Sequence, residues 1–225
     1  YVAPYSPVQQ NITRKLDGPS VEHLLGTDEF GRDVFSRIVV GSRYSLSSGF
    51  ISVGMGLVGG LTLGAITGYY GGCIDRVGMA LCDVMLAFPG VLLSLAIATI
   101  LGAGVYTPMI AIGISSVPVF ARMVRAQFLA LRFVPFVEAA QCSGASDIRI
   151  IVTHILPNCI GTVVVQATLR LGTSIITAAT LSFLGLGAQP PTPEWGAMLS
   201  NSRAYVWTAP HLAVSPGLVI TITVI

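Results

Sequence analysis

The sequence predicts an all-α protein that crosses a membrane several times. Only 10% of its 225 side chains are charged, and its mean hydropathy is +0.78, whereas a soluble domain of this length carries charge on about a quarter of its residues. Uncharged stretches recur along the chain, and the longest can cross a hydrocarbon layer about 30 Å thick as a helix. The net charge of +2 is too small to indicate a nucleic-acid partner.

Residues 1–43 form a mixed polar segment that precedes the first apolar stretch, and three prolines interrupt it. Within it, residues 23–37 predict a turn followed by an amphipathic helix, for which Thr27 or Asp28 can act as the cap. Apolar side chains recur there at helical spacing, namely Phe30, Val34, Phe35 and Ile38. We expect this segment to lie on the extracytoplasmic side.

Five apolar stretches make up the predicted membrane domain, residues 44–225. The first, 45–69, holds 25 uncharged residues, and its glycines 56, 60, 64 and 68 predict a seam for close helix packing. The second, 78–101, is expected to bend at Pro89. The other three are 106–121 with a helical extension to 131, 157–186, and 211 to the end of the chain.

The side of the membrane on which each loop lies is not decided by charge alone, since the two faces carry six and five Lys or Arg residues. The positive-inside rule counts short loops most, which favours a cytoplasmic loop at 132–156 and an extracytoplasmic loop at 187–209. Trp195, Tyr205 and Trp207 fit the extracytoplasmic interface as aromatic anchors.

A short helix–Gly–helix pattern lies between the third and fourth apolar stretches. Pro135 is placed to start a helix and Gly144 to end it in a left-handed cap. Ser146 can cap a second short helix that begins at Asp147. The pattern is that of a docking surface for a partner protein, and the alternative is a simple connector. The candidate surface residues are Phe133, Phe136, Val137, Glu138, Ala139, Ala140 and Gly144.

Three motifs resemble the permeases of ATP-binding-cassette (ABC) importers. Glu138-Ala139-Ala140, Gly144 and Leu156-Pro157 resemble the Glu-Ala-Ala loop on which these permeases meet their ATPase, although His154 stands where the family usually has an aliphatic residue. Two further motifs resemble the C-type subunit of the dipeptide, oligopeptide, glutathione and nickel branch. They are His23, Gly26-Thr27-Asp28, Gly31-Arg32-Asp33, Ser36-Arg37, and Leu184-Gly185-Leu186-Gly187-Ala188-Gln189-Pro190-Pro191 followed by Pro193-Glu194-Trp195-Gly196.

This resemblance implies the type I importer permease fold, with six membrane helices in the full protein, about five of them in this chain and one before Tyr1. It implies a homologous second permease, two cytoplasmic subunits that bind ATP and Mg, and an extracytoplasmic solute-binding protein, in a bacterial inner membrane. The chain is then not an enzyme, and it lacks the Gly-Lys-Ser/Thr loop that would cradle a nucleotide's phosphates. The implied cargo is a short peptide or a peptide-like solute such as glutathione.

Other functions remain open at this point. The chain could carry nickel or another small solute of the same branch, and substrate identity lies beyond this sequence. A stand-alone secondary transporter would explain the glycine-rich helices but not the helix–Gly–helix pattern. A membrane-embedded enzyme is disfavoured because no cluster of nucleophile, base or metal ligands lies within the apolar stretches. The three histidines are scattered, and the four cysteines show no paired spacing, so we interpret the cysteines as packing residues.

Arg170 is the charge that lies deepest in a predicted span, about 13 residues or roughly 20 Å into the fourth stretch. It either faces a translocation cavity, where it would meet a substrate carboxylate, or forms a structural pair with an acid such as Asp83. Arg122 and Arg125 are predicted at the cytoplasmic headgroups.

Overall fold

A computed structural model describes residues 3–225, and its regular structure is helical. Within these residues, the only β character is an isolated bridge between Thr27 and Asp33. The helices are α1 (Val34–Tyr70), α2 (Gly72–Leu86), α3 (Gly90–Leu101), α4 (Thr107–Leu131), α5 (Pro135–Cys142), α6 (Asp147–Arg149), α7 (Leu156–Phe183), α8 (Trp195–Asn201) and α9 (His211–Val224).

The described residues divide into two compact units. The first comprises the chain up to Ile51, Leu95–Ala111 and Leu171–Ile225, and the second comprises Ser52–Ser94 and Ile112–Arg170. Each unit is therefore built from segments distant in sequence, and the long helices α1, α4 and α7 contribute to both.

The predicted apolar stretches all form helices. By length and composition, α1, α4 and the helix Asp147–Phe183 can each cross a membrane. Helices α2 and α3 qualify together as a fourth, broken span, and α9 is a shorter apolar helix. The predicted bend at Pro89 is confirmed, since α2 and α3 meet at 90° across the break that contains this proline.

The cap of α1 differs from the predicted one. The Asp33 carboxylate accepts a hydrogen bond from the backbone N–H of Ser36 at 2.7 Å, so Asp33 caps the helix. Asp28 instead closes the preceding turn, where its Oδ1 accepts from the N–H groups of Phe30 and Arg32. The amphipathic segment and the first span form one helix, because α1 begins at Val34 and continues past residue 44 without a break.

The predicted glycine seam on α1 packs against α4 in the second unit. A β-carbon on Gly60 would overlap the Cβ of Phe120, and one on Gly68 would lie 2.6 Å from the Cβ of Phe128. Both phenylalanines are fully buried. The two helices approach closely because these positions carry no side chain.

The fourth span is predicted to start at Pro157 but starts ten residues earlier, at Asp147. The short helix predicted to begin at Asp147 is therefore the first part of this span and not a separate element. A π-helical segment, Ile150–Ile155, joins α6 to α7. Here the N–H of Leu156 donates to the carbonyl of Ile151, five residues back, and the wider turn accommodates Pro157, which has no N–H to donate. Ser146 occupies the cap position, but its side chain makes no capping hydrogen bond.

Contacts within the first unit bring together the motif that ends at Arg37 and the motif that contains Pro191 and Trp195. Trp195 is 2% exposed, and its indole N–H donates to the carbonyl of Ile38 at 3.0 Å. The expectation that Trp195 is an interfacial anchor is therefore wrong, because its ring is buried against α1. The Arg37 guanidinium donates to the carbonyl of Pro191 at 3.4 Å. Trp207, in contrast, is 96% exposed.

Candidate functional site

Helix α5 has the start and the end that its sequence predicts. Val134 is extended, with φ −78° and ψ 143°, and Pro135 follows at the first helical position. At the other end Gly144 has φ +77°, a conformation that favours glycine. The N–H of Ala145 donates to the carbonyl of Ala140 at 3.1 Å, and the N–H of Gly144 donates to that of Gln141 at 2.9 Å. These two bonds form a Schellman cap, which fixes the chain direction after α5.

One face of α5 is buried in the protein itself. Val137 is fully buried, and Ala140 packs against the same cluster. The cluster belongs to the second unit and contains Ala65, Val124, Phe128, Val137, Ile150, Ile155, Cys159 and Val163. The expectation that Val137 offers its side chain to a partner is therefore wrong, because burial in this core leaves none of it accessible. Its role is to hold α5 in place.

The opposite face of α5 is open. Phe133 is 67% exposed and Phe136 is 39% exposed, while Glu138, Ala139 and Gly144 are exposed as well. The Arg132 guanidinium lies 4.5 Å from the centre of the Phe133 ring, an arrangement that favours stacking of the cation on the ring. We call Phe133, Phe136, Glu138, Ala139 and Gly144 the coupling surface, after the role that is proposed for them below.

Two contacts that sequence reasoning missed tie this region to the end of α1. The Tyr69 hydroxyl donates to the Asp147 carboxylate at 2.9 Å, and the Arg132 guanidinium donates to the carbonyl of Gly68 at 3.4 Å. Both residues are separated from their partners by more than 60 positions in the chain, so no local pattern could have indicated these bonds.

Arg122 and Arg125 form ion pairs with acids on α2. Arg125 binds Asp75 through two nitrogens, with Nη2 2.6 Å from Oδ2, and Arg122 donates to Asp83. The sequence suggests Asp83 as a structural partner of Arg170, but the side chain that donates to the Asp83 carboxylate is Arg122. Arg170 itself is half-buried on α7, and the hypothesis that it meets a substrate carboxylate stays a prediction.

Residues 60–225 match the family described as "binding-protein-dependent transport system inner membrane component". The chain is 48% identical over 226 residues to a glutathione transport system permease protein, GsiD, of Pectobacterium atrosepticum. It is 50% identical over the same length to GsiD of Escherichia coli O1:K1. In both comparisons the match covers all of this chain and 75% of the relative.

Solved structures share the fold. The inward-facing methionine ABC transporter MetNI matches with a TM-score of 0.66 and 22% identity, over 84% of this chain and 90% of that one. An amino acid ABC transporter matches with a TM-score of 0.62 and 15% identity, over 84% and 88% of the two chains. The family match over residues 60–225 and the identity of 48–50% with the two GsiD proteins establish that the chain belongs to the binding-protein-dependent transport system inner membrane components, the permease subunits of ABC importers.

Proposed function

We propose that this permease takes up glutathione or a similar short peptide across a bacterial inner membrane, driven by ATP hydrolysis in partner subunits. The substrate class rests on the relatives, which are named as glutathione transport permeases. The mechanism rests on one observation: Val137 anchors α5 in the core, while Phe136 on α5 and Phe133 just before it are exposed. Two cytoplasmic subunits hold ATP and Mg, a homologous permease completes the membrane domain, and an extracytoplasmic binding protein delivers the solute.

The coupling surface suits this role because it is both apolar and rigid. A helix of two turns is unstable alone, but α5 gains a buried side chain on one face and a Schellman cap at its end. Exposed aromatic side chains are frequent anchors at protein interfaces. A partner that grips Phe133 and Phe136 would therefore move α5 as a body. Because Ala140 and Ile150 belong to the same packed region, the movement would pass to the helix that begins at Asp147.

The test is uptake by cells that express all subunits of the transporter and lack any other glutathione importer. We expect Phe133→Asp to abolish ATP-dependent uptake of labelled glutathione and to release the ATPases during purification, since the charge would occupy an apolar contact. Cys142→Ser is the matched control, because Cys142 is exposed at the end of α5 and serine is similar in size. Full uptake with bound ATPases in Phe133→Asp would refute the coupling role.

The same cells test the substrate class. Uptake of labelled glutathione should be competed by unlabelled short peptides and should require the binding protein. If a nickel chelate is taken up while glutathione is not, the nickel alternative replaces this proposal.

A further inference from the structure

The proposed coupling role leaves two of the sequence motifs unexplained. They are the motif that ends at Arg37 and the motif that contains Pro191 and Trp195, and both lie in the first unit, where they contact each other. A polar cleft lies at this contact. Polar and charged residues from both motif segments and from α8 line it, among them Glu29, Arg32, Arg37, Gln189, Thr192 and Asn201.

The cleft has room for one small group. Its volume is about 90 Å³, whereas one water molecule needs roughly 10–15 Å³, so a group of a few heavy atoms fits. A whole peptide does not, because pockets for complete small ligands measure roughly 300–1,000 Å³. Arg32 and Arg37 are each 3% exposed, while Gln189 and Asn201 are exposed. The lining thus combines exposed neutral side chains with two buried guanidinium groups.

The two guanidinium groups differ in their acidic contacts. Nε of Arg32 lies 2.6 Å from Oδ2 of Asp28, and its Nη2 lies 3.2 Å from Oε1 of Glu29. Nε of Arg37 is 3.5 Å from the same Oδ2 of Asp28. Arg37 therefore shares a carboxylate oxygen that Arg32 already binds, and its own ion pair is the longer one.

The hydrogen bonds of Arg37 go to neutral groups. Its Nη1 donates to the carbonyl of Pro7 at 2.9 Å and to that of Pro191 at 3.4 Å. Its Nη2 carries two further N–H groups, and these donate to none of the described residues. Buried charges in proteins are normally paired with a charge of opposite sign. A guanidinium N–H forms its strongest hydrogen bonds with a carboxylate or a phosphate.

We infer that this cleft binds one carboxylate group of the transported peptide, with Nη2 of Arg37 as its main hydrogen-bond donor. The motif that ends at Arg37 would supply the cation, and the motif that contains Pro191 would supply the facing wall. This inference rests on the proposed function, because it takes the solute to be a peptide.

The charges around the cleft make the expected binding weak. Asp28 and Glu29 already balance Arg32 and Arg37 in number, so a carboxylate would be held by hydrogen bonds to Arg37 and not by an excess of positive charge. Glu29 also lines the cleft and would repel an anion. The side chain of Glu29 is therefore expected to limit the affinity.

The test measures the thermal unfolding midpoint of the complete transporter, purified without its binding protein and titrated at constant ionic strength. Glutathione should raise the midpoint in a saturable manner, because a ligand of the folded state stabilises it. Glutathione diamide, in which both carboxylates are converted to amides, should not raise it. Acetate is the third probe, since it presents a carboxylate without a peptide.

Variants of the lining locate the effect. Asn201→Asp places a carboxylate in the cleft with almost no change in size, and it should raise the half-saturating glutathione concentration about tenfold. Asn201→Ala is the matched control, which adds no charge and should change that concentration by less than about twofold. Glu29→Gln keeps an oxygen for Arg32 but removes the opposing charge, so it should lower the concentration several-fold. A gain of affinity of this kind cannot result from misfolding.

Three results would overturn the inference. They are equal stabilisation by glutathione and its diamide, an unchanged half-saturating concentration in Asn201→Asp, and stabilisation by acetate with none by glutathione. The last would assign the cleft to an acidic side chain of another protein. The uptake assay in cells tests the proposed function separately. Normal glutathione uptake without this stabilisation removes only the present inference, whereas absence of uptake removes the proposed function and this inference with it.

Discussion

Gly144 shows how a single residue can be constrained by its backbone alone. Its φ is +77°, yet a β-carbon placed there would meet no atom within 4 Å. Any penalty for substitution therefore arises from conformation rather than from crowding. The sequence indicated this position correctly, since a glycine after a short helix is the usual C-terminal signal. It could not indicate that Val137 faces inward, because that depends on which side of α5 the core occupies.

Gly144→Val should weaken the cap of α5 by about 1–2 kcal/mol, the cost of a left-handed conformation for a side chain with a β-carbon. We expect lower glutathione uptake and fewer ATPases retained on purification. Gly144→Asn is the control, since asparagine tolerates this conformation better than other residues. Equal behaviour of the two variants would show that the conformation of residue 144 does not limit coupling.

At the scale of elements, the spacing of apolar residues and glycines located the helices well, but it could not show how they connect or pair. The glycine seam of α1 was predictable because a repeat of four residues marks one helix face. The continuity of α6 with α7 was not, because Pro157 ordinarily signals a helix start and a π-helical segment has no comparable sequence signal. The pairing of Arg122 with Asp83 depends on the register of two helices, which neither sequence segment contains by itself.

Gly60→Ala should destabilise the packing of α1 on α4, because the added methyl group would overlap Phe120. Overpacking of this kind costs roughly 1–3 kcal/mol. Gly54→Ala in the same helix is the control, since a β-carbon at Gly54 would meet nothing within 4 Å. Thermal unfolding of the two purified variants in one detergent is the measurement. A Gly60→Ala variant as stable as Gly54→Ala would contradict the close approach described for this seam.

For the whole molecule, the sequence motifs were more informative than composition. Composition and hydropathy predicted a helical membrane protein, and the motifs placed it among ABC importer permeases, as the family match shows. Two of these motifs also contact each other in the first unit, where Arg37 donates to the carbonyl of Pro191 and Trp195 donates to the carbonyl of Ile38. The orientation of the chain in the membrane could not be derived from its charges, because they are nearly balanced between the two faces.

An impermeant thiol reagent applied to spheroplasts tests that orientation. Ser20→Cys and Trp207→Cys are each made in a protein whose four native cysteines have been replaced, and both should react in intact spheroplasts. A third variant keeps Cys142 and lacks Cys73, Cys82 and Cys159. The native Cys142, exposed at the end of α5, should react only after the membrane is opened. Labelling of Cys142 in intact spheroplasts would reverse the proposed topology.

The π-helical segment between Asp147 and α7 accommodates one extra residue without turning the helix that follows it. A π turn closes one rotation with about one residue more than an α turn. Removing one residue from Ile150–Ile155 would therefore leave an ordinary α turn, and α7 would keep nearly the same side chains toward its neighbours. Removing one residue from the regular helix between Leu156 and Val163 would instead turn the rest of α7 by about 100°. Val164, now exposed, would then take the place of Val163, which is now buried. The segment between Asp147 and Leu156 is thus a place where the chain can change in length by one residue while the packing of α7 is kept.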